Sequence, residues 1–267
     1  SVQHGIPAVL LQALWDAVRT TAGFELPVVG LPAAPPRASF RRRLGGRLYR
    51  WVQPPRKRYC GSPAFRLQRW AQQRNIGLVY PPAGDFNSPA FLEHLMESYA
   101  PTILFSIYCL QKLRPTLLQA FEQTVNYHNG ALPAYRGVRT TGWSIYNGDR
   151  VSGFTYHRME TELDTGRILL DGNVPIGADS TAAEIETAKA AAAAAALPEL
   201  LSRLAGDAEG AAQNGTANYY SQADFARITA VPEPTALTSD ELQLRTRAFD
   251  YVDLQLAGTR CRVSVFR

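Results

Sequence analysis

The sequence predicts an α/β protein in which a mainly parallel sheet is flanked by helices. Segments with the pattern of strands alternate with segments of helical periodicity through residue 150, which is typical of parallel sheets. The clearest strand, at residues 102–109 (TILFSIYC), is a continuous apolar run of the kind that is buried on both faces. In such sheets ligands bind beyond the carboxyl ends of the strands.

The first third of the chain is predicted to contain helices around two short strands. Pro7 stands early in a first helix whose apolar residues recur at helical spacing. The predicted elements that follow are a strand at 25–30, a basic amphipathic helix at 39–53, a helix at 65–74, a strand at 76–80 and a helix from Ser88-Pro89. A sheet of this class normally opens with a strand, so a first strand is expected outside the given sequence.

The middle of the chain is predicted to complete the sheet. Its expected elements are a helix at 115–122, a strand at 125–128, a helix at 141–146 and strands at 151–159 and 167–176. A long alanine-rich helix then begins at Thr181, which has capping-box spacing to Glu184. Pro198 is expected to break or kink this helix, which then runs on to Leu204.

A boundary is predicted near residue 205, where the chain becomes small and polar. Residues 1–205 would form the main domain, and residues 206–267 a small α+β C-terminal subdomain with a helix at 238–249 and a hairpin turning at Ala257-Gly258. The last fifty residues are too few for a sizeable core of their own.

Composition excludes several classes of protein. With 46% hydrophobic and 19% charged residues, the chain is not disordered in bulk. It contains no bilayer-spanning apolar run and no secretory signal pattern, so we expect a cytoplasmic protein. Cys60, Cys109 and Cys261 are far apart and form no metal-binding pattern, so reduced thiols and no metal site are expected.

Positive charge is concentrated in one span. Between Glu25 and Asp85 there is no acidic residue, yet 12 of the 28 basic residues lie there, at positions 37–74. The other 16 basic residues are outnumbered by the 23 acidic ones. A local positive patch of this kind favours an anionic partner. A solvated helix face, a tRNA-backbone contact and a membrane-surface helix at 39–53 remain alternatives.

Three polar residues are candidates for chemistry. Asn126 and His128 lie two residues apart at the end of one predicted strand, so their side chains leave the same face. Asp164 lies in a loop between two later strands, beside Thr165-Gly166. An amide and an imidazole can donate to a tetrahedral oxyanion, and a carboxylate can orient the imidazole or take a proton. These types fit transfer of an acyl group to an amine.

Each of the three residues also has an ordinary structural interpretation. Asn126 alone is more often a turn or cap residue, His128 a structural histidine, and Asp164 the start of an Asx-turn. Spacing alone therefore leaves the function open.

The sequence around these residues resembles the formyltransferases that use 10-formyltetrahydrofolate. The matching segments are residues 125–137 (VNYHNGALPAYRG), 143–149 (WSIYNGD) and 159–169 (METELDTGRIL). The resemblance implies a Rossmann-like fold and a catalytic set of Asn126, His128 and Asp164. It also implies a folate pocket lined by residues of three segments: Ser106, Tyr108, Leu110, Leu113, Arg139, Glu160 and Leu163.

Departures from the family pattern bear on the substrate. Asn129-Gly130 stand where the family usually has Pro-Ser, which is more similar to the branch that modifies sugars. About fifty residues after Asn218 are too few for the C-terminal barrel of methionyl-tRNA formyltransferases.

The expected acceptor is the amine of a small anionic molecule, most simply a nucleotide-linked amino sugar. A diphosphate needs Arg or Lys, for which Arg136, Arg139 and the basic span are candidates. Tyr219 or Tyr220 could stack on a base or sugar, or could equally belong to the subdomain core. The alternatives are a methionyl-tRNA formyltransferase, a formyltetrahydrofolate hydrolase and a tethered domain of a larger synthetase; a homodimer is left open.

Overall fold

The computed structural model describes residues 6–31, 63–231, 237–256 and 259–264 of the 267-residue chain. Helices and strands alternate along these ranges, and the predicted α/β class is confirmed. The chain divides into two compact units, residues 26–101 and residues 1–25 together with 102–267, and each is taken by itself below. The predicted basic helix at 39–53 lies outside the described residues.

The smaller unit contains a two-stranded parallel sheet with two helices. Its elements are β1 (Val28–Gly30), α2 (Pro63–Gln72), β2 (Gly77–Val79), a 3-10 turn at Pro82–Gly84 and α3 (Pro89–Tyr99), and the helix that precedes them, α1 (Ile6–Thr20), belongs to the larger unit. Pro89 occupies the first turn of α3, where its missing N–H has no helical partner to lose. Phe91 and Leu95 bury the apolar face of this helix. The predicted elements at 65–74 and 76–80 are thus confirmed.

The larger unit is built on a four-stranded sheet. Its strands are β3 (Ile103–Ile107), β4 (Gln123–His128), β6 (Val151–His157) and β7 (Ile168–Pro175), in the order β3-β4-β6-β7; the short strand β5 (Arg136–Gly137) lies outside this sheet. β3 and β4 pair in parallel, whereas β6 pairs antiparallel with both β4 and β7. The β6–β7 connection, residues 158–167, is too short for the crossover that a parallel pair needs.

Helices complete the larger unit. They are α4 (Pro115–Leu118), α5 (Thr140–Tyr146) and α6 (Ala182–Ala205), and α1 packs against α6. The predicted capping box is present, because the Thr181 side chain accepts from the N–H of Glu184 and the Glu184 side chain accepts from the N–H of Thr181. Of the break or kink predicted at Pro198, a break does not occur, and the predicted continuation to Leu204 is confirmed. The helix continues through this residue, held by the buried side chains of Leu197 and Leu200.

The C-terminal residues pack onto the same unit. They form β8 (Tyr219–Tyr220), α7 (Gln222–Thr229), β9 (Ala230–Val231), α8 (Ser239–Phe249), β10 (Tyr251–Leu256) and β11 (Thr259–Ser264). Phe225 and Phe249 share a core with Trp143 of α5 and Ile185 of α6. The boundary predicted at residue 205 thus lies within one compact unit, and two separate domains remain a prediction.

Membrane-spanning helices and metal-binding clusters are absent from the described residues. No helix in the described ranges has the length and apolar character needed to cross a bilayer. Within the same ranges no group of three metal-ligating side chains comes together, and Cys109 and Cys261 are free thiols.

Candidate active site

β4 carries the predicted residues Asn126 and His128, and His157 of the neighbouring strand β6 lies beside them. Asn126 lies opposite His157 in the antiparallel pairing of β4 with β6, and opposite Ser106 in the parallel pairing with β3. Directly paired residues point to the same face of a sheet. The amide of Asn126 and the rings of His128 and His157 therefore meet on one face at the carboxyl end of β4.

Asp164 reaches this face from the β6–β7 loop. Its backbone is left-handed, with φ 57°, and Gly166 follows two residues later. A Cβ at residue 166 would lie 1.9 Å from the carbonyl oxygen of Arg158, so only glycine fits there. The turn directs one carboxylate oxygen of Asp164 to the N–H of Gly137, which donates to it at 2.9 Å.

The second carboxylate oxygen of Asp164 lies between the two histidine rings. Its Oδ1 is 3.4 Å from Nδ1 of His128 and 3.6 Å from Nε2 of His157. All three side chains are nearly enclosed, with 13%, 8% and 3% of their surfaces exposed for Asp164, His128 and His157. The structure thus brings Asn126, His128 and Asp164 together and adds His157, which the sequence argument did not name.

His157 determines how the Asn126 amide is oriented. Its Nδ1 lies 2.7 Å from the carbonyl oxygen of Arg158 and therefore carries a proton, which it donates there. In a neutral ring Nε2 is then an acceptor, and it lies 3.1 Å from Nδ2 of Asn126. Asn126 consequently donates one amide hydrogen to His157. Its second Nδ2 hydrogen has no hydrogen-bond partner among the described residues and is available to a ligand.

His128 is arranged to receive a proton. Its Nε2 donates to the carbonyl oxygen of Tyr135 at 2.6 Å, and its Nδ1 faces Oδ1 of Asp164 at 3.4 Å. Burial lowers the pKa of His128 and outweighs Asp164, which raises it. Burial alone would raise the pKa of Asp164, but His128, His157 and the Gly137 N–H hold it at about 2. The carboxylate is therefore ionised, and a proton on Nδ1 of His128 would lie against it.

Gly130 makes room for the His128 ring. A Cβ at residue 130 would lie 2.8 Å from Nε2 of His128 and 2.6 Å from the carbonyl oxygen of Tyr135, the two atoms of the hydrogen bond just described. Any larger residue would displace one of them. The Asn129-Gly130 pair noted in the sequence therefore has a steric reason in this chain.

The residues predicted for a folate pocket occupy varied positions. Ser106 is buried beside Asn126, while the buried Tyr108 hydroxyl has no hydrogen-bond partner within the described part of the chain. Leu110 is 97% exposed, Leu113 is half-buried, and Leu163 is exposed. The structure therefore does not gather these side chains into one wall.

A cleft of about 540 Å³ lies beside the loop that carries Asp164. Thr124, Met159, Thr165 and the predicted pocket residue Glu160 contribute to its lining, whereas Asn126, His128 and Asp164 do not. The folate pocket therefore remains a prediction, with Glu160 in a cleft next to the site.

The predicted acceptor-binding residues contact the chain itself. Arg136 donates through Nη2 to Oε1 of Gln213 at 2.7 Å. Arg139, assigned above to the folate pocket, lies 3.4 Å from Asp250 and holds its guanidinium 4.7 Å from the Phe225 ring centroid.

The two tyrosines differ in their surroundings. Tyr220 stacks on Trp143 at 4.6 Å and on Tyr135 at 5.7 Å, so it belongs to the packed core. Tyr219 is 55% exposed and is available to a ligand.

Gln213 is a further residue that the sequence argument missed. Its Nε2 donates to the carbonyl oxygens of Asp164 and Gly166, at 2.9 and 2.8 Å, while its Oε1 accepts from Arg136. It thereby ties the turn of Asp164 to β5. The segment looked like a linker because it is small and polar, and only the fold shows what it contacts.

Comparison with known proteins shows what the segment carrying this site is similar to. Residues 71–201 match the family model described as formyl transferase. The match includes Asn126, His128, His157 and Asp164.

Two characterised relatives are similar over part of their length. GDP-perosamine N-formyltransferase of Brucella melitensis is 33% identical over 166 residues, which are 62% of this chain and 61% of the relative. Methionyl-tRNA formyltransferase of a Synechococcus strain is 32% identical over 204 residues, which are 76% of this chain and 57% of the relative. The chain thus spans about three fifths of the length of the relatives it matches.

Solved structures share the fold. A sugar N-formyltransferase from a Shewanella species superposes with a TM-score of 0.64 at 21% identity, covering 78% of this chain and 82% of that one. An N-formyltransferase from Helicobacter canadensis, in complex with folinic acid and dTDP-3-aminofucose, superposes with a TM-score of 0.52 at 23% identity, covering 73% and 80%.

Proposed function

We propose that the protein transfers a formyl group from 10-formyltetrahydrofolate to a primary amine of a small anionic substrate, a nucleotide-linked amino sugar. One observation carries the proposal: the Asn126 amide, the His128 ring and the Asp164 carboxylate surround one point at the end of β4. The similarity to a GDP-perosamine N-formyltransferase supports the reaction and the class of acceptor.

Asn126 stabilises the charge that develops when the amine attacks. As the new C–N bond forms, the carbonyl oxygen becomes an oxyanion, and the free Nδ2 hydrogen of Asn126 donates to it. A well-placed oxyanion donor accelerates such a step by roughly a hundred- to a thousand-fold. Because His157 already accepts the other hydrogen, the amide cannot turn its oxygen toward the oxyanion.

His128 and Asp164 handle the proton. The attacking nitrogen must lose one proton, and Nδ1 of His128 is a vacant base beside an ionised carboxylate that stabilises the resulting imidazolium. The same proton can then protonate the leaving nitrogen as the old C–N bond breaks. The products are a formamide and tetrahydrofolate, and the protein ends in its starting state.

The predicted folate pocket is placed beside β3 and β4, next to Asn126. Ser106, which pairs with Asn126 across β3 and β4, and Glu160, which lines the neighbouring cleft, are the part of the predicted folate pocket that the arrangement favours. The Tyr108 ring packs against Tyr127, whose side chain leaves β4 on the face opposite to Asn126. Tyr108, Leu110, Leu113, Arg139 and Leu163 therefore remain proposals from the resemblance.

Binding of the acceptor's phosphates is assigned mainly to basic residues. Arg136, exposed Tyr219 and the basic span at 37–74 are the proposed contacts, of which positions 37–58 lie outside the described residues. Deleting residues 37–58 should raise the KM for a nucleotide-linked amino sugar and leave folate binding unchanged. Loss of folate binding alone would contradict this assignment.

A second acceptor is favoured by one observation. The similarity to a methionyl-tRNA formyltransferase extends over 76% of this chain, so initiator tRNA is the comparison substrate. A tRNA acceptor would show a steep dependence of the KM on salt, because its phosphates release counterions on binding. A cytoplasmic location, a homodimer and a membrane contact at 39–53 are further proposals, tested by fractionation, sedimentation and vesicle binding.

The deciding assay supplies 10-formyltetrahydrofolate with a panel of acceptors. The panel contains nucleotide-linked amino sugars, the same nucleotides without the amine, and methionyl-tRNA, with formate release measured in parallel. Formylated amino sugar supports the proposal. Release of formate at the same rate without any acceptor would instead indicate a hydrolase.

A further inference from the structure

Lys189 is a fully buried lysine close to the site. It lies on α6 with 0% of its surface exposed. Its ammonium donates to the carbonyl oxygen of Asn129 at 2.8 Å, to Oγ1 of Thr141 at 2.6 Å and to Oγ of Ser152 at 3.1 Å. A buried ammonium is costly unless its three donors are satisfied, and here each of them has an oxygen acceptor.

The carbonyl that Lys189 holds belongs to the residue after His128. The carbonyl oxygen and both side-chain polar atoms of Asn129 form hydrogen bonds. Its carbonyl oxygen also accepts from Thr140, its Oδ1 accepts from the Tyr127 hydroxyl at 3.1 Å, and its Nδ2 donates to Thr141 at 3.2 Å. The next residue, Gly130, has no side chain with which to restrict its own backbone. These bonds therefore set the direction in which the chain leaves β4.

We propose that Lys189 is a positioning residue for the His128 ring, acting through the Asn129 carbonyl. The proposal rests on the formyl-transfer function for its kinetic test only. If the Asn129 peptide rotates, Gly130 moves with it, and Gly130 lies against the ring, since a Cβ on it would be only 2.8 Å from Nε2 of His128. The ring then loses its alignment with the Tyr135 carbonyl and with Asp164.

Lys189 also contributes to the electrostatics of the ring. The charged or titratable groups that act on His128 are Asp164, His157 and Lys189, and after burial Lys189 is among those that lower its pKa. Burial lowers the pKa of Lys189 itself to about 7, against the opposing charge of Glu186. A neutral side chain at position 189 should therefore raise the pKa of His128.

The test compares two replacements with a matched control. Lys189→Met removes both the charge and the donors while keeping the length, and Lys189→Gln keeps an NH2 group with two N–H donors but no charge. Ser144→Ala is the control, because Ser144 is buried in the same network, where it donates to Thr141 and Ser152, but forms no hydrogen bond to Lys189 or Asn129. For each protein kcat, KM and the unfolding midpoint are measured, and the His128 ring is titrated by NMR on ¹⁵N-histidine protein without substrate.

We expect a pattern of changes in kcat, KM and the pKa of His128 that a general loss of protein stability would not produce. Lys189→Met should lower kcat by roughly ten- to a hundred-fold with little change in the KM for folate, because misplacing a catalytic group costs rate. Lys189→Gln should recover part of this loss, while both variants raise the pKa of His128. Ser144→Ala should retain kcat even if its unfolding midpoint falls.

Wild-type kcat in both variants, together with an unchanged pKa of the His128 ring, would overturn the proposal. If Lys189→Met does not fold, Lys189→Gln alone gives the same two readouts. If the wild-type protein transfers no formyl group, the proposed function fails, whereas the NMR titration still answers whether Lys189 acts on His128.

Discussion

Nε2 of His157 lies 3.1 Å from Nδ2 of Asn126, across the antiparallel pairing of β4 with β6. The Arg158 carbonyl oxygen fixes a proton on Nδ1 of His157, so in the neutral ring Nε2 accepts from the amide. The orientation of the Asn126 amide is therefore imposed by a residue that need not touch the substrate.

Replacing His157 with leucine should release the Asn126 amide. We expect kcat to fall by roughly ten- to a hundred-fold while folate binding stays within a few-fold of wild type, because orientation rather than binding is lost. Steady-state kinetics and folate titration measure the two quantities. His94→Leu is the control, since His94 is exposed on α3 in the other compact unit. An equal loss in both variants would remove His157 from the mechanism.

The pH dependence of kcat/KM should report the neutral His128 ring. Burial lowers the pKa of His128 below the 6.5 of a free imidazole, so the active, unprotonated ring persists to lower pH. The acid limb of the profile should therefore lie below pH 6.5. An acid limb above pH 7 would contradict a lowered pKa for His128, whereas activity that falls as the pH rises, with no acid limb, would show that the active ring is the imidazolium.

Asp164 should also contribute to stability in a defined pH window. Its folded pKa of about 2 is below the unfolded value of 3.8, so its contribution is present above pH 3.8 and is lost as the pH falls toward 2. The difference in unfolding free energy between wild type and Asp164→Asn should shrink by roughly 1 kcal/mol between pH 5 and pH 3. Urea unfolding at both pH values tests this. A pH-independent difference would mean that Asp164 is not held ionised by its neighbours.

Gly130→Ala should damage the site more than the fold. The added methyl would occupy the space of the His128 ring and the Tyr135 carbonyl, so we expect kcat to fall by at least about tenfold. Gly206→Ala is the matched control, since a Cβ there meets atoms no closer than 3.7 Å. Comparable kcat in the two variants would show that the ring does not depend on the turn at residue 130.

Much of the fold could be predicted from local patterns. The strands of the sheet are apolar enough to stand out, and Thr181 with Glu184 marked the start of α6 to the residue. The same patterns could not give α7, whose eight residues begin with small polar cap residues in an apparently unstructured segment. Pro198 did not end α6, because tertiary packing of the surrounding leucines outweighed the lost hydrogen bond.

The site was only partly predictable for a related reason. Asn126 and His128 are two residues apart on one strand, and Asp164 has a recognisable turn sequence, so these three could be proposed as a group. His157 and Gln213 act through contacts that depend on strand register and on distant packing. A strand pattern gives the face on which a side chain lies but not the residue that faces it on the next strand.

The most direct test of the account is formyl transfer to nucleotide-linked amino sugars by wild type and by His128→Ala. We expect product from the wild type, and a loss of turnover of roughly a hundred-fold or more in the variant, with folate affinity nearly unchanged. Equal turnover in the two proteins would contradict the central claim that the group formed by Asn126, His128 and Asp164 carries out the reaction.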